Sequence, residues 1–89
     1  MQPFLLPQLV EQAAAVTPDA PAVVGRKTTL TYASLLEQSR RAATRLRDLG
    51  AEPGGLVGLL LPKAPEAVVA LLGILTAGCA YVPLDPTAP

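Results

Sequence analysis

The sequence contains no histidine and no tryptophan, and it has one cysteine among its 89 residues. Without histidine, the chain cannot assemble a Ser-His-Asp catalytic set, and a His/Cys metal site is excluded as well. With a single cysteine, no internal disulfide can form, so cysteine usage says nothing about the compartment.

Neither positive nor negative charge is in excess, because the seven basic and seven acidic side chains cancel. A neutral chain lacks the field that attracts nucleic acid or anionic lipid, so neither is expected as a partner. One local group of arginines, partly balanced by acidic neighbours, lies on a predicted helix: Arg40, Arg41, Arg45 and Arg47. We interpret this group as a solvated helix face.

Long apolar runs of membrane length are also lacking. The longest uncharged run, residues 67–84, is interrupted by Gly73, Gly78 and Pro83, and a span needs about 20 apolar residues. No lysine or arginine precedes Arg26, so the charged segment of a signal peptide is missing. We expect a cytoplasmic protein with no membrane partner; a membrane hairpin from Leu56 to Leu84 is the weakest alternative.

What the sequence does contain is 51% hydrophobic residues, enough for one small α/β domain. Helical spacing predicts a first helix over Pro3–Val16, which ends at the proline-containing stretch 17–21. Two short β-branched strands are predicted within 22–32, around a turn at Gly25–Lys27.

The second predicted helix has signals at both ends. Thr31 is a suitable N-cap, and Gly50 is a suitable C′ residue because it can adopt positive φ. Between them the apolar residues recur with the helical period, and Glu37 and Arg41 have the favourable i,i+4 order. Arg45 and Arg47 are expected near the negative end of the helix dipole.

The last third of the chain predicts a strand, a helix and a strand. Residues 56–62 lack alternation, which is typical of a strand covered on both faces. A helix over roughly Pro65–Ala77, ended by Gly78, is apolar nearly all round and should be buried on more than one side. The strand "AYVPL" (80–84) follows, so the order is α-β-β-α-β-α-β, with a right-handed crossover between parallel strands.

Candidate functional residues are few. Lys63 follows a predicted parallel strand and would face a ligand there, although a solvated loop lysine is the simpler interpretation. Asp85 would either cap a helix or contact a ligand, and Glu66 fits the dipole of its own helix. Cys79 lies in apolar surroundings without a histidine partner, so we expect an inert, buried thiol. No glycine-rich phosphate loop follows either late strand.

Three stretches resemble the N-terminal end of adenylate-forming enzymes, most closely the amino-acid adenylation domain of nonribosomal peptide synthetases. They are "TPDAPAVV" (17–24), "LTYASLLEQSRRAATRLRDLGAEPGGLVGLLLPK" (30–63) and "LLGILTAGCAYVPLDP" (71–86). The resemblance covers almost the whole chain, and "LTYASL" and "LTAGCAYVPLD" are similar to the family's first two core motifs. Ser34 and Thr76 depart from it, where the family often carries an acid and a lysine.

The resemblance implies the N-terminal portion of the large subdomain, so that residues 1–89 form a partial adenylation domain. In the family, an amino acid carboxylate attacks the α-phosphate of Mg-ATP, and the acyl group then passes to a carrier-protein thiol. The family's catalytic, ATP-binding and specificity residues lie downstream of the two motifs. No catalytic, cofactor-binding or metal-binding residue is therefore carried over to this chain, and we expect it to be inactive alone.

Two alternatives stay open beside an amino-acid-activating enzyme. In the first, the chain is a non-catalytic docking module that binds the remainder of the domain, because the nearly all-apolar third helix needs a cover. In the second, the chain is part of an acyl-CoA ligase, since those enzymes share the fold. The carrier protein is the further partner that the resemblance implies.

Overall fold

The structure, a computed structural model, describes residues 5–59 and 65–83 of the chain. Seven elements follow the order predicted from the sequence. The helices are α1 (Leu5–Val16), α2 (Tyr32–Asp48) and α3 (Pro65–Thr76), and the strands are β1 (Pro21–Val24), β2 (Thr29–Thr31), β3 (Leu56–Leu59) and β4 (Ala80–Pro83). The predicted helix start at Pro3 and the strand ends at Pro62 and Leu84 lie outside the described residues.

The four described strands form two separate two-stranded sheets. Strands β1 and β2 pair antiparallel as a hairpin, closed by a hydrogen bond of 2.8 Å from the Gly25 amide to the Thr28 carbonyl. Strands β3 and β4 pair parallel, with Leu56 opposite Ala80 and Leu59 opposite Pro83. The predicted β-α-β unit is confirmed as β3-α3-β4, and the handedness of its crossover stays a prediction.

The N-terminus of α2 is capped by its own N-cap residue and by the loop that precedes the hairpin. The hydroxyl of Thr31 accepts a hydrogen bond of 3.1 Å from the Ser34 amide, which confirms the predicted N-cap. The first two amides of the helix bond back to the loop: Tyr32 donates to the Ala20 carbonyl at 3.1 Å and Ala33 to the Pro18 carbonyl at 3.0 Å. Three first-turn amides, which a helix leaves without internal partners, are thereby satisfied.

The C-terminus of α2 also matches its prediction. Leu49 is the C-cap, and Gly50 follows with φ of +104°, a conformation that glycine adopts without steric penalty. On the exposed face, Arg41 and Glu37 form the expected i,i+4 ion pair at 2.6 Å. Ion pairs this exposed contribute a few tenths of a kcal/mol, about 0.3–0.5, to helix stability.

Helix α3 packs against α1, α2 and strands of both sheets, and Glu66 is its only exposed residue, which confirms burial on more than one side. The contact with α2 is unusually close at Gly73. A Cβ built on Gly73 would lie 2.6 Å from the Ala42 Cβ and 3.3 Å from the Ser39 carbonyl oxygen. The close approach therefore requires a glycine on α3 where small residues face it on α2.

Two buried clusters lie on either side of this crossing. One contains Val10, Leu30, Leu35 and Leu72, and the other contains Ala43, Ile74, Ala77 and Cys79. Ser39, buried between helices, donates its hydroxyl to the Leu36 carbonyl at 2.9 Å, so its polar group is satisfied within α2. The core is thus built mainly from aliphatic side chains.

One expectation about β3 is wrong for the part of the chain that the structure describes. The run of apolar residues predicted a strand covered on both faces, but Leu56 is 75% exposed and only the alternate residue, Val57, packs on a core cluster. The described chain supplies α3 on one side of the β3–β4 sheet and nothing on the other. The apolar pattern is therefore satisfied on one face only.

Candidate functional site

The first candidate site is the edge where β3 and β4 end. Their last residues, Leu59 and Pro83, are register partners, so the two strands end side by side. Ligands of open α/β sheets bind outside the carboxyl ends of parallel strands. The two predicted candidates, Lys63 and Asp85, follow these ends by four and two positions and lie outside the described residues. Their ligand roles therefore stay predictions.

A second candidate is a hollow of about 560 Å³ between the β1–β2 turn and the start of α3. Its charged side chains are Arg26 and Lys27 from the turn and Glu66 from α3, and all three residues are exposed. The floor is tight, because a Cβ on Gly25 would lie 2.7 Å from the Pro65 Cγ. Solvent-exposed charges of this kind contribute little to the binding of a ligand, so we do not treat the hollow as a built ligand site. The close contact of Gly25 with Pro65 holds the hairpin against α3.

The third candidate is an open groove of about 770 Å³ between α1 and α2. Arg40 reaches across it to Glu11 at 3.8 Å, and both side chains are more than half exposed. Arg41 is paired with Glu37 within α2. Arg40 and Arg41 are thus exposed and ion-paired, in agreement with the solvated helix face predicted from the sequence.

Arg47 makes a contact in addition to the one predicted. It lies with Arg45 in the last turn of α2, as predicted, and its guanidinium also donates a hydrogen bond of 3.1 Å to the Thr76 carbonyl, in the last turn of α3. A cation is favourable at a helix C-terminus, and the bond satisfies a carbonyl that α3 leaves unpaired. No local pattern signals this contact, because the two residues are 29 positions apart.

Cys79 is buried, with 5% of its surface exposed, in the cluster formed by Ala43, Ile74 and Ala77. Its Sγ donates a hydrogen bond of 3.2 Å to the Glu52 carbonyl, which ties β4 to the loop before β3. The burial matches the packing role predicted for this residue. The residues that pack with it in this cluster are apolar, so none of them provides a base that would activate it as a nucleophile.

Two other classes of site are absent from the described residues. Within 5–59 and 65–83, no three histidine, cysteine, aspartate or glutamate side chains come together as ligands of a metal ion. Among the described helices, none combines the length and the apolar character needed to cross a membrane.

Comparison with known proteins gives this fold a class. The structure superposes on the N-terminal subdomain of NpsA from Klebsiella oxytoca with a TM-score of 0.88, at 24% identity, over 94% of this chain and 22% of that one. It superposes equally well on the AMPPNP-bound nonribosomal peptide synthetase FmoA3, with a TM-score of 0.88 and 42% identity, over 94% of this chain and 9% of that one. The fold is the N-terminal portion of the large subdomain of adenylate-forming enzymes.

The family follows from the sequence matches. Residues 10–89 match the AMP-binding enzyme family, and the chain belongs to that family. Bacitracin synthase 3 of Bacillus licheniformis is 46% identical over 82 residues, which is 92% of this chain. The chain spans about 1% of the length of that relative. The resemblance of residues 17–24, 30–63 and 71–86 to peptide synthetase adenylation domains is thereby confirmed.

Proposed function

We propose that this chain is the structural N-terminal part of an ATP-dependent adenylation domain that activates an amino acid for nonribosomal peptide synthesis. The observation that carries the proposal is the 46% identity to a bacitracin synthase over 92% of the chain. The superposition on a peptide synthetase with AMPPNP bound supports the use of ATP.

The proposed reaction joins an amino acid carboxylate to the α-phosphate of ATP. The P–O bond to pyrophosphate breaks as the acyl-phosphate bond forms, and the acyl group later passes to the thiol of a carrier protein. Within the described residues, no acidic cluster fits the Mg²⁺ that the family implies, so we derive no step through the metal. The described residues support the strands from whose carboxyl ends a nucleotide site would be built.

A chimera tests the proposal. The segment of FmoA3 that superposes on this chain is replaced by the chain, and amino-acid-dependent ATP–pyrophosphate exchange is measured. The substrate is α-methyl-L-serine, whose adenylate has been seen bound to FmoA3. We expect the chimera to catalyse exchange and the 89-residue chain alone to show none. Exchange by the chain alone, or a folded chimera without exchange, would contradict the proposal.

The same assay asks whether this chain shifts the substrate preference toward fatty acids, as a part of an acyl-CoA ligase would if its residues reached the substrate. A fatty acid offered to the chimera in place of the amino acid should not support exchange, because we place no substrate-binding residue in this chain and FmoA3 supplies the pocket. Exchange with fatty acids that FmoA3 itself does not activate would favour an acyl-activating branch. Since the reaction consumes ATP, we propose the cytoplasm as its location and a carrier protein as its downstream partner.

A docking module is the second candidate function, favoured by the exposure of Leu56 on a parallel sheet. As a docking module, the chain binds the remainder of an adenylation domain supplied as a separate polypeptide. Mixing the chain with FmoA3 lacking the corresponding segment tests this directly. Recovered exchange would show docking, and failure to co-purify would exclude it.

A further inference from the structure

We draw no further inference here: the strongest candidate, the open groove between α1 and α2 that Ala14, Ala33 and Leu36 line, has exposed charges on its rim that already pair with one another, and nothing in the structure shows what covers it.

Discussion

Replacing Gly73 by alanine should improve the helix propensity of α3 and worsen its packing against α2. We expect the packing loss to be the larger of the two effects. Alanine favours a helix interior over glycine by about 1 kcal/mol. The added Cβ, however, would lie 2.6 Å from the Ala42 Cβ, whereas non-bonded carbons prefer about 3.5–4.0 Å. The helices must therefore separate by about 1 Å at a contact that Leu72 and Ile74 flank, both nearly fully buried.

Overpacking of a core costs about 1–3 kcal/mol. We take the upper part of that range for Gly73→Ala, because the clashing groups are a Cβ and backbone atoms on two helices and cannot rotate away. After the propensity gain, the expected net loss in the free energy of unfolding is about 1–2 kcal/mol. For a domain of this size, each kcal/mol lowers Tm by about 4–8 °C. Urea and thermal denaturation followed by far-ultraviolet circular dichroism measure both quantities.

The double variant Gly73→Ala/Ala42→Gly identifies the contact responsible. It moves one methyl group from α2 to α3 and removes the 2.6 Å clash, leaving the Ser39 oxygen at 3.3 Å. We expect it to be more stable than the sum of the single variants predicts, by about 1 kcal/mol or more. Gly54→Ala is the control for additivity: alanine is strained at its φ of +86°, but no atom lies within 4 Å of its built Cβ, so its effect should add to that of Ala42→Gly. A Gly73→Ala chain more stable than the wild type, or additive single effects, would refute the reasoning.

Three further predictions concern helix ends and the thiol. Thr31→Ala should lower the free energy of unfolding by about 1 kcal/mol in urea denaturation, and Thr31→Ser by less, because serine keeps the hydroxyl that caps α2. Ser34→Glu should raise it by about 0.5 kcal/mol, by completing a capping box and placing an acid in the first turn; no gain, or a loss, would contradict this. Cys79 should react with Ellman's reagent only slowly in the native chain and rapidly in urea, and fast native labelling would show that its burial is wrong.

The order of elements could be predicted because its signals are local. The N-cap at Thr31, the glycine at position 50 and the i,i+4 pair of Glu37 and Arg41 each depend on neighbouring residues, and all three are confirmed. The family could also be recognised, since its motifs are contiguous in the chain. Periodicity and capping therefore define where helices and strands lie, within the residues that the structure describes.

Contacts between distant residues could not be predicted. In the sequence, Gly73 only interrupts an apolar run, and its steric role emerges when Ala42 is placed against it. The position of Arg47 in the last turn of α2 predicts an interaction with the dipole of that helix. It does not predict the hydrogen bond that the side chain donates to the end of α3. The apolar pattern of residues 56–62 correctly indicates a strand over the described residues Leu56–Leu59, but a sequence pattern cannot tell whether this chain or another segment provides the second cover.

The loop at residues 17–20 has a kinetic consequence. Its carbonyls, at Pro18 and Ala20, hold the amides of Ala33 and Tyr32, so those amides exchange with solvent only when the loop detaches. We therefore expect fraying of α2 at this end to be coupled to opening of the loop. The "TPDAP" stretch that ends α1 thus also sets how readily the next helix unwinds.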